Sequence, residues 1–290
     1  MRNAIANKTH YPNGITLLDR KFEELFNHEK GPGALPTKPK KDRPVSEPVK
    51  AIIVPHAPYD LAGPAMAWAY KSLAEQAQKT KLFIIIAQAQ HSTGAGATMQ
   101  TFKTPYGEVR VDQAFLRELV NKGNISLNDE VHEKESLIEI QLPFLQYINK
   151  NHEEKIKIIP LIVNTQTNIE ELSIDIKETL LEQEKTATII YVTNLTSYGR
   201  NFHYVPFTEH IAKNLYELDK QIINSIINFD KKQFLNVLQE TLAPISGFSV
   251  MELFFHLSNP KKILLEQYYL SGDINNNYLN TVGYASFVIK

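Results

Sequence analysis

The sequence predicts a single α/β domain, residues 1–290, with a central, largely parallel sheet covered by helices. Three observations predict it. Apolar, β-branched runs recur along the chain as "KAIIV", "KLFIIIA", "KIKIIPLIV" and "TATIIYVT", short enough for strands and apolar enough to be buried on both faces. Between them lie stretches with apolar residues at helical spacing. The length of 290 residues and the 43% apolar content suffice for one sizeable core.

Each element follows in chain order. "ITLLDRKFEELFNHE" has the helical period, and the following "GPGALPTKPKKDRPVSEP" breaks any regular ladder with proline and glycine, giving a loop over 30–49. Its Lys38, Lys40, Lys41 and Arg43 read as a solvated turn, since the run is short and offers no aromatic side chain for a base to stack on. After "KAIIV" the pattern turns helical from about Gly63, then strand-like in "KLFIIIA" and "YGEVRVD". Helical "QAFLRELVNK" and "SLIEIQLPFLQYI" precede "KIKIIPLIV", and helical "IEELSIDIKETLLEQ" precedes "TATIIYVT". Residues 206 to 257 read as helical, and "KILLEQYYLSGD" and "TVGYASFVI" as two further strands of the same sheet.

Charge and composition narrow the function classes. Lys plus Arg number 31 against 32 Asp plus Glu, so no overall field favours nucleic acid or an anionic membrane. No cysteine is present, which excludes disulfides, thiolate nucleophiles and cysteine-bound metal centres. The N-terminal "MRNAIANKTHYPNG" lacks the apolar core of a signal peptide, and no apolar run approaches the ~20 residues of a spanning helix. A cytoplasmic protein is expected.

In open parallel sheets, ligands bind beyond the carboxyl ends of the strands. His56 follows "AIIVP", His91 follows "LFIIIAQAQ" and Asn194 follows "TIIYVT", so three polar residues are expected on one sheet edge. Two imidazoles from strand ends begin a transition-metal site, which then needs a third donor and an open position. The other reading, in which both histidines bond backbone groups at strand ends, stays open on pattern alone. No Ser/His/Asp triad is expected, because "GAGA" and "SGFS" lack the context of a nucleophile elbow, and no phosphate loop occurs.

Several motifs in order resemble one family. "THYPNGITLLDRKFEELF" is similar to an opening Tyr-Pro segment and first helix, "IIVPHAPYDLAGPAMAWAY" to a VPHAGY element, and "QAQHSTGAGA" with "FKTPYGEVRVD" to GPNH and TPLGEV stretches. "ESLIEIQLPFLQ", "VTNLTSYGRNFHYVP" and "LSGDINNNYLNTVGYASF" match its EHSIE, SSD..HYG and closing SGD motifs. The chain thus resembles the Memo family, whose bacterial and archaeal members are called AmmeMemoRadiSam system protein B. The resemblance implies a fold related to class III extradiol dioxygenases, with iron or copper held by two histidines and a cysteine. Carried over by motif, the metal histidines are His56 and His91.

The departures fall on the remaining reactive positions. The resemblance places histidine at Ser136 and Ser197, aspartate at Asn194 and cysteine at Ala243, while Glu135 is kept. Asn194 brings no charge, the serines do not titrate near neutral pH, and Ala243 has no donor atom. Glu135, Glu139, Ser136, Asn194, Ser197, Tyr198 and Ala243 are therefore expected around the pocket, Glu139 as a residue that bonds backbone or orients His91. Tyr59 and Tyr198 flank the pocket elements. His132 is expected at an exposed helix entry, the second reading being a turn toward the pocket as a substitute ligand, and His10, His28, His152, His210 and His256 are expected on the surface or in packing.

Three functions follow as expectations. One is a binding or partner protein with a degenerate metal pocket, and a second is an active nonheme metal-dependent oxidoreductase or dioxygenase-like enzyme with remodelled ligands. The third is a scaffold that works with radical SAM and AMMECR1-type proteins, as the family's operon name implies. A homodimer is a further expectation, and neither nucleic acid nor membrane is an expected partner.

Overall fold

The structure is a computed structural model that describes residues 1–37, 47–75, 81–150 and 155–290. Lys38, Lys40, Lys41, Arg43 and His152 lie outside the described residues. The chain runs α1 (Ile15–Asn27), β1 (Ala51–Val54), α2 (Tyr59–Glu75), β2 (Leu82–Gln88), β3 (Gly96–Ala97), β4 (Phe102–Thr104) and β5 (Gly107–Val111). It continues with α3 (Gln113–Asn121), α4 (Asp129–Lys134), α5 (Leu137–Asn149), β6 (Lys157–Val163), α6 (Ile169–Glu182), β7 (Thr188–Val192) and β8 (Ser197–Gly199). Then come α7 (Ile211–Ile227), α8 (Lys231–Thr241), α9 (Phe248–Leu257), β9 (Ile263–Leu270), α10 (Gly272–Asn275) and β10 (Asn280–Ile289).

The strands form one sheet in the order β4-β5-β6-β2-β7-β1-β10-β8, with β3 beside β6 and β9 beside β10. From β5 through β6, β2 and β7 to β1 every pairing is parallel, and β10 closes the sheet antiparallel to β1. In β2, Phe83, Ile84, Ile85, Ile86 and Ala87 are all buried. Successive strand residues face opposite ways, so both faces of the sheet are covered. Helices α1, α2 and α5 pack together, as do α3, α6 and α9. Phe22, Tyr59, Phe144 and Tyr147 seal the first group, with ring centroids 4.5 to 5.8 Å apart for Phe22 with its three neighbours. Gly63 lets α1 approach α2, since a Cβ there would lie 2.7 Å from the Leu25 side chain.

Local chemistry sets the helix ends. Asp112, Asn128, Asn168 and Asp230 each accept a backbone N–H from the first turn of the helix that they precede. Helix α2 begins at Tyr59 and not near Gly63: the Pro58 carbonyl accepts from Leu61 and Ala62, and the fixed φ of proline favours the start of a helix. His56 therefore sits in a turn only a few residues long. The expected helix over 206–257 is three helices, broken where Phe229 and Leu242 adopt positive φ (52° and 56°) and Asp230 caps the next turn. No helix among the described residues is long and apolar enough to cross a membrane.

Candidate functional site

Strands β2, β7 and β1 are neighbours, so their carboxyl ends bring His91, Asn194 and His56 to one edge. Asn194 is bound to His56 twice through the backbone. Its Oδ1 accepts the His56 N–H at 2.9 Å, and its Nδ2 donates to the His56 carbonyl at 2.9 Å. This pairing needs an amide, because a carboxylate has no proton to donate to the carbonyl. The Asn194 main-chain N–H in turn donates to Ser246 Oγ at 2.8 Å, and Ser246 Oγ lies 2.8 Å from His56 Nε2.

The loop that carries His91 is held by Glu135. One carboxylate oxygen accepts the N–H groups of Gln90 (2.8 Å), His91 (2.6 Å) and Ser92 (3.0 Å), so the main chain wraps around the charge. The other oxygen, Oε2, is buried and has no hydrogen-bond partner among the described residues. The Gln90 side chain donates to the Ser246 carbonyl at 2.6 Å, and Gln88 accepts from the Ser249 N–H at 2.7 Å. The end of β2 is thereby tied to the start of α9. The His91 side is open: Gln90 and His91 are exposed and line, with Asn128, Val131 and Lys134, a cleft of about 590 Å³.

A third histidine arrives from the N-terminal segment. The Tyr59 N–H donates to the His10 carbonyl at 2.8 Å, which fixes His10 against the turn after His56. Glu139, fully buried, holds the rest of the segment through the N–H groups of Ile5 and Ala6, the Tyr11 hydroxyl and the Arg2 guanidinium at 2.6 Å. Arg2 also donates to the carbonyls of His132 and Glu135 and lies over the Phe102 ring. Burial, reinforced by the neighbouring His10 and His91, pushes the His56 imidazole down to about 4. His10 is lowered by burial too, against the pull of Glu139 and with the help of His91. His56 is accordingly neutral near pH 7.

The other expected site residues are placed as follows. Glu139 bonds the backbone of the N-terminal segment, while the support of the His91 loop comes from Glu135. Ser136 precedes α5 without a capping bond from its side chain. Ser197 lies in β8 opposite Val282, and Tyr198 packs with Leu215 and Leu270 in a separate apolar cluster, its hydroxyl on the Phe207 carbonyl. Ala243 is buried in the main core, and Ser246, three residues on, reaches His56. His132 is buried, not exposed: α4 turns it inward, where its Nε2 meets the Gly96 carbonyl at 3.0 Å. His10 and Ser246 were not expected at the site. Their signals were adjacency to the Tyr-Pro segment for His10 and a position just before Gly247 and α9 for Ser246.

A metal centre of the kind implied by the resemblance needs a third donor beside His56 and His91. Asn194 has spent its amide on the His56 backbone, Ala243 offers no donor, and Glu139 is saturated by Arg2 and N–H groups. No group of three or more His, Cys, Asp or Glu side chains among the described residues is arranged to hold a metal ion. As placed, neither His10 nor the unpartnered Glu135 Oε2 completes a three-ligand centre with His56 and His91 among the described residues.

Over residues 2–288 the chain matches the family described as "Memo-like protein". It is 29% identical over 294 residues to a MEMO1 family protein of Methanopyrus kandleri, covering 97% of this chain and 95% of the relative. A MEMO1 family protein of Sulfurisphaera tokodaii is 30% identical over 278 residues, with 93% and 92% covered. One of Methanococcus maripaludis is 28% identical over 295 residues, with 100% and 99% covered. With the family match spanning nearly the whole chain and an α/β fold built on a largely parallel sheet, the chain belongs to the Memo family.

Proposed function

We propose that this Memo-family chain is a binding protein whose pocket, at the carboxyl ends of β1, β2 and β7, takes an organic ligand in place of a redox metal. The observation that carries this reading is the bonding of His56. Its ring meets Ser246 Oγ, and its backbone takes up both ends of the Asn194 amide. The exposed His91 imidazole lines the open cleft, and the Gln90 side chain links that cleft to Ser246 and the neutral His56 imidazole behind it, so the edge offers hydrogen bonds to a polar small molecule. The proteins that such a binding role would serve are the radical SAM and AMMECR1-type partners expected from the resemblance, and copurification with them tests that part.

Elemental analysis tests the pocket. The protein is purified without chelators and reconstituted with Fe(II), Cu or Zn, and compared with the His56→Ala, His91→Ala double variant. The expected result is far less than one metal per chain, equal in the two proteins. Near-stoichiometric metal that disappears in the double variant would overturn the reading in favour of an active metal-dependent oxidoreductase with remodelled ligands.

A further inference from the structure

We propose that Ser246 and His56 form a nucleophile–base pair that cleaves carboxylic esters bound at this sheet edge, next to the cleft lined by Gln90 and His91. The inference rests on the organic-ligand reading above and names the ligand's chemistry. Ser246 Oγ has two lone pairs and one proton. The Asn194 N–H takes up one lone pair at 2.8 Å, and in the His56 tautomer that carries its proton on Nδ1 the Oγ proton runs along the 2.8 Å line to His56 Nε2. The second lone pair remains for attack on a carbonyl carbon.

Three elements fix this pair. The Asn194 side chain clamps the His56 main chain at the end of β1 from the end of β7. Gly247 presses directly on the same strand end: a Cβ there would lie 2.6 Å from Thr193 Cβ and Oγ1, so residue 247 has no room for a side chain. Gln90 then holds the Ser246 carbonyl from the β2 loop. Ser246 is only partly buried and lies two residues before the first turn of α9. The N–H groups of Gly247 and Phe248 follow Ser246 in the chain and have no acceptor among the described residues, which leaves them available to a carbonyl oxygen that gains charge.

The reaction balances without a redox step. As the Oγ–carbon bond forms, the hydroxyl proton passes to His56 Nε2. Collapse of the tetrahedral adduct breaks the ester carbon–oxygen bond, and the departing alcohol takes that proton. Water then attacks the acyl group on Ser246, with His56 accepting its proton and returning it to Oγ. One ester and one water become one acid and one alcohol. Among the described residues no carboxylate bonds the His56 ring, so the pair acts as a dyad.

The test uses the full chain, a fluorophosphonate probe and p-nitrophenyl butyrate. Intact mass should show one probe per chain, and peptide mapping should place it on Ser246. Ester turnover should fall at least ~100-fold in His56→Ala, the scale of a lost general base. Because Ser246→Ala removes the Asn194 contact and can unfold the edge, Ser246→Cys serves as a second variant. Its thiol should alkylate with iodoacetamide at least ~10-fold faster than in the Ser246→Cys, His56→Ala double variant. A folded wild-type protein without label at Ser246, or turnover and alkylation rates indifferent to His56, would overturn the dyad and leave the organic-ligand reading standing. Stoichiometric metal lost with His56 would overturn both.

Discussion

Asn194 shows how one atom decides the chemistry of a site. Its Nδ2 donates to the His56 carbonyl while its Oδ1 accepts the His56 N–H, so the side chain pairs with a backbone unit as a strand neighbour would. Asn194→Asp keeps the shape and removes the donor, placing a negative oxygen against a carbonyl oxygen. The variant should lose about 1 to 3 kcal/mol of stability, the cost of an unpaired buried polar group. Urea unfolding measures it, and a change below about 0.5 kcal/mol would mean that the amide proton contributes little.

At the scale of elements, the α4–α5 junction organises both the β2 loop and the N-terminal segment at the site. Glu135, in extended backbone at the end of α4, gathers the β2 loop, and Glu139, in the first turn of α5, gathers the N-terminal segment. Arg2 ties the two together through the Glu135 carbonyl and the Glu139 carboxylate, and all three side chains are buried. Removing one member of a buried ion pair leaves the other without compensation, which costs about 3 to 5 kcal/mol. Arg2→Ala should therefore destabilise the protein on that scale and free His10 from the pocket. Thermal melting reads the first effect, and faster exchange of the Ile5 and Ala6 amides reads the second. Unchanged protection of those amides would show that Glu139 holds the segment without Arg2.

For the whole molecule, the buried titratable groups set the response to acid. Asp219 on α7 is fully buried against β10, where Gly283 leaves room for it: a Cβ at 283 would sit 2.2 Å from Asp219 Oδ2. Burial raises this carboxyl to about 6 despite bonds from Thr196 and Tyr268. A folded-state value above the unfolded one means that the native state binds more protons between the two. Its contribution is complete below about pH 4 and is lost as pH rises through about 6. His132 and His56, both lowered to about 4 with burial as the leading cause, act oppositely: they stabilise above about pH 6.5, and that is lost on acidification. In Asp219→Asn the opposing term vanishes. Stability relative to wild type should therefore shift in the variant's favour as pH rises from about 4 to about 6, by up to about 3 kcal/mol. Urea midpoints across that range test it, and a constant difference would place the Asp219 carboxyl near its ordinary value.

Much of this was legible in the chain itself. Runs such as "KLFIIIA" and "KIKIIPLIV" announce strands buried on both faces, because apolar periodicity is a local property that burial converts directly into structure. The same logic put His56, His91 and Asn194 at strand ends, since a strand stops where its apolar run stops. What the sequence could not state is which distant segments meet there. Ser246 lies 190 residues from His56 and His10 lies 46 before it, and neither spacing has a period. His132 carries no local sign of burial, because α4 is short and its orientation depends on Asn128, Gly96 and Arg2 from elsewhere. The sequence by itself determined the sheet, its parallel core and the edge where polar residues gather. Only the tertiary structure decided the pairing at that edge, because hydrogen bonds between side chains follow positions in space, which chain order leaves free.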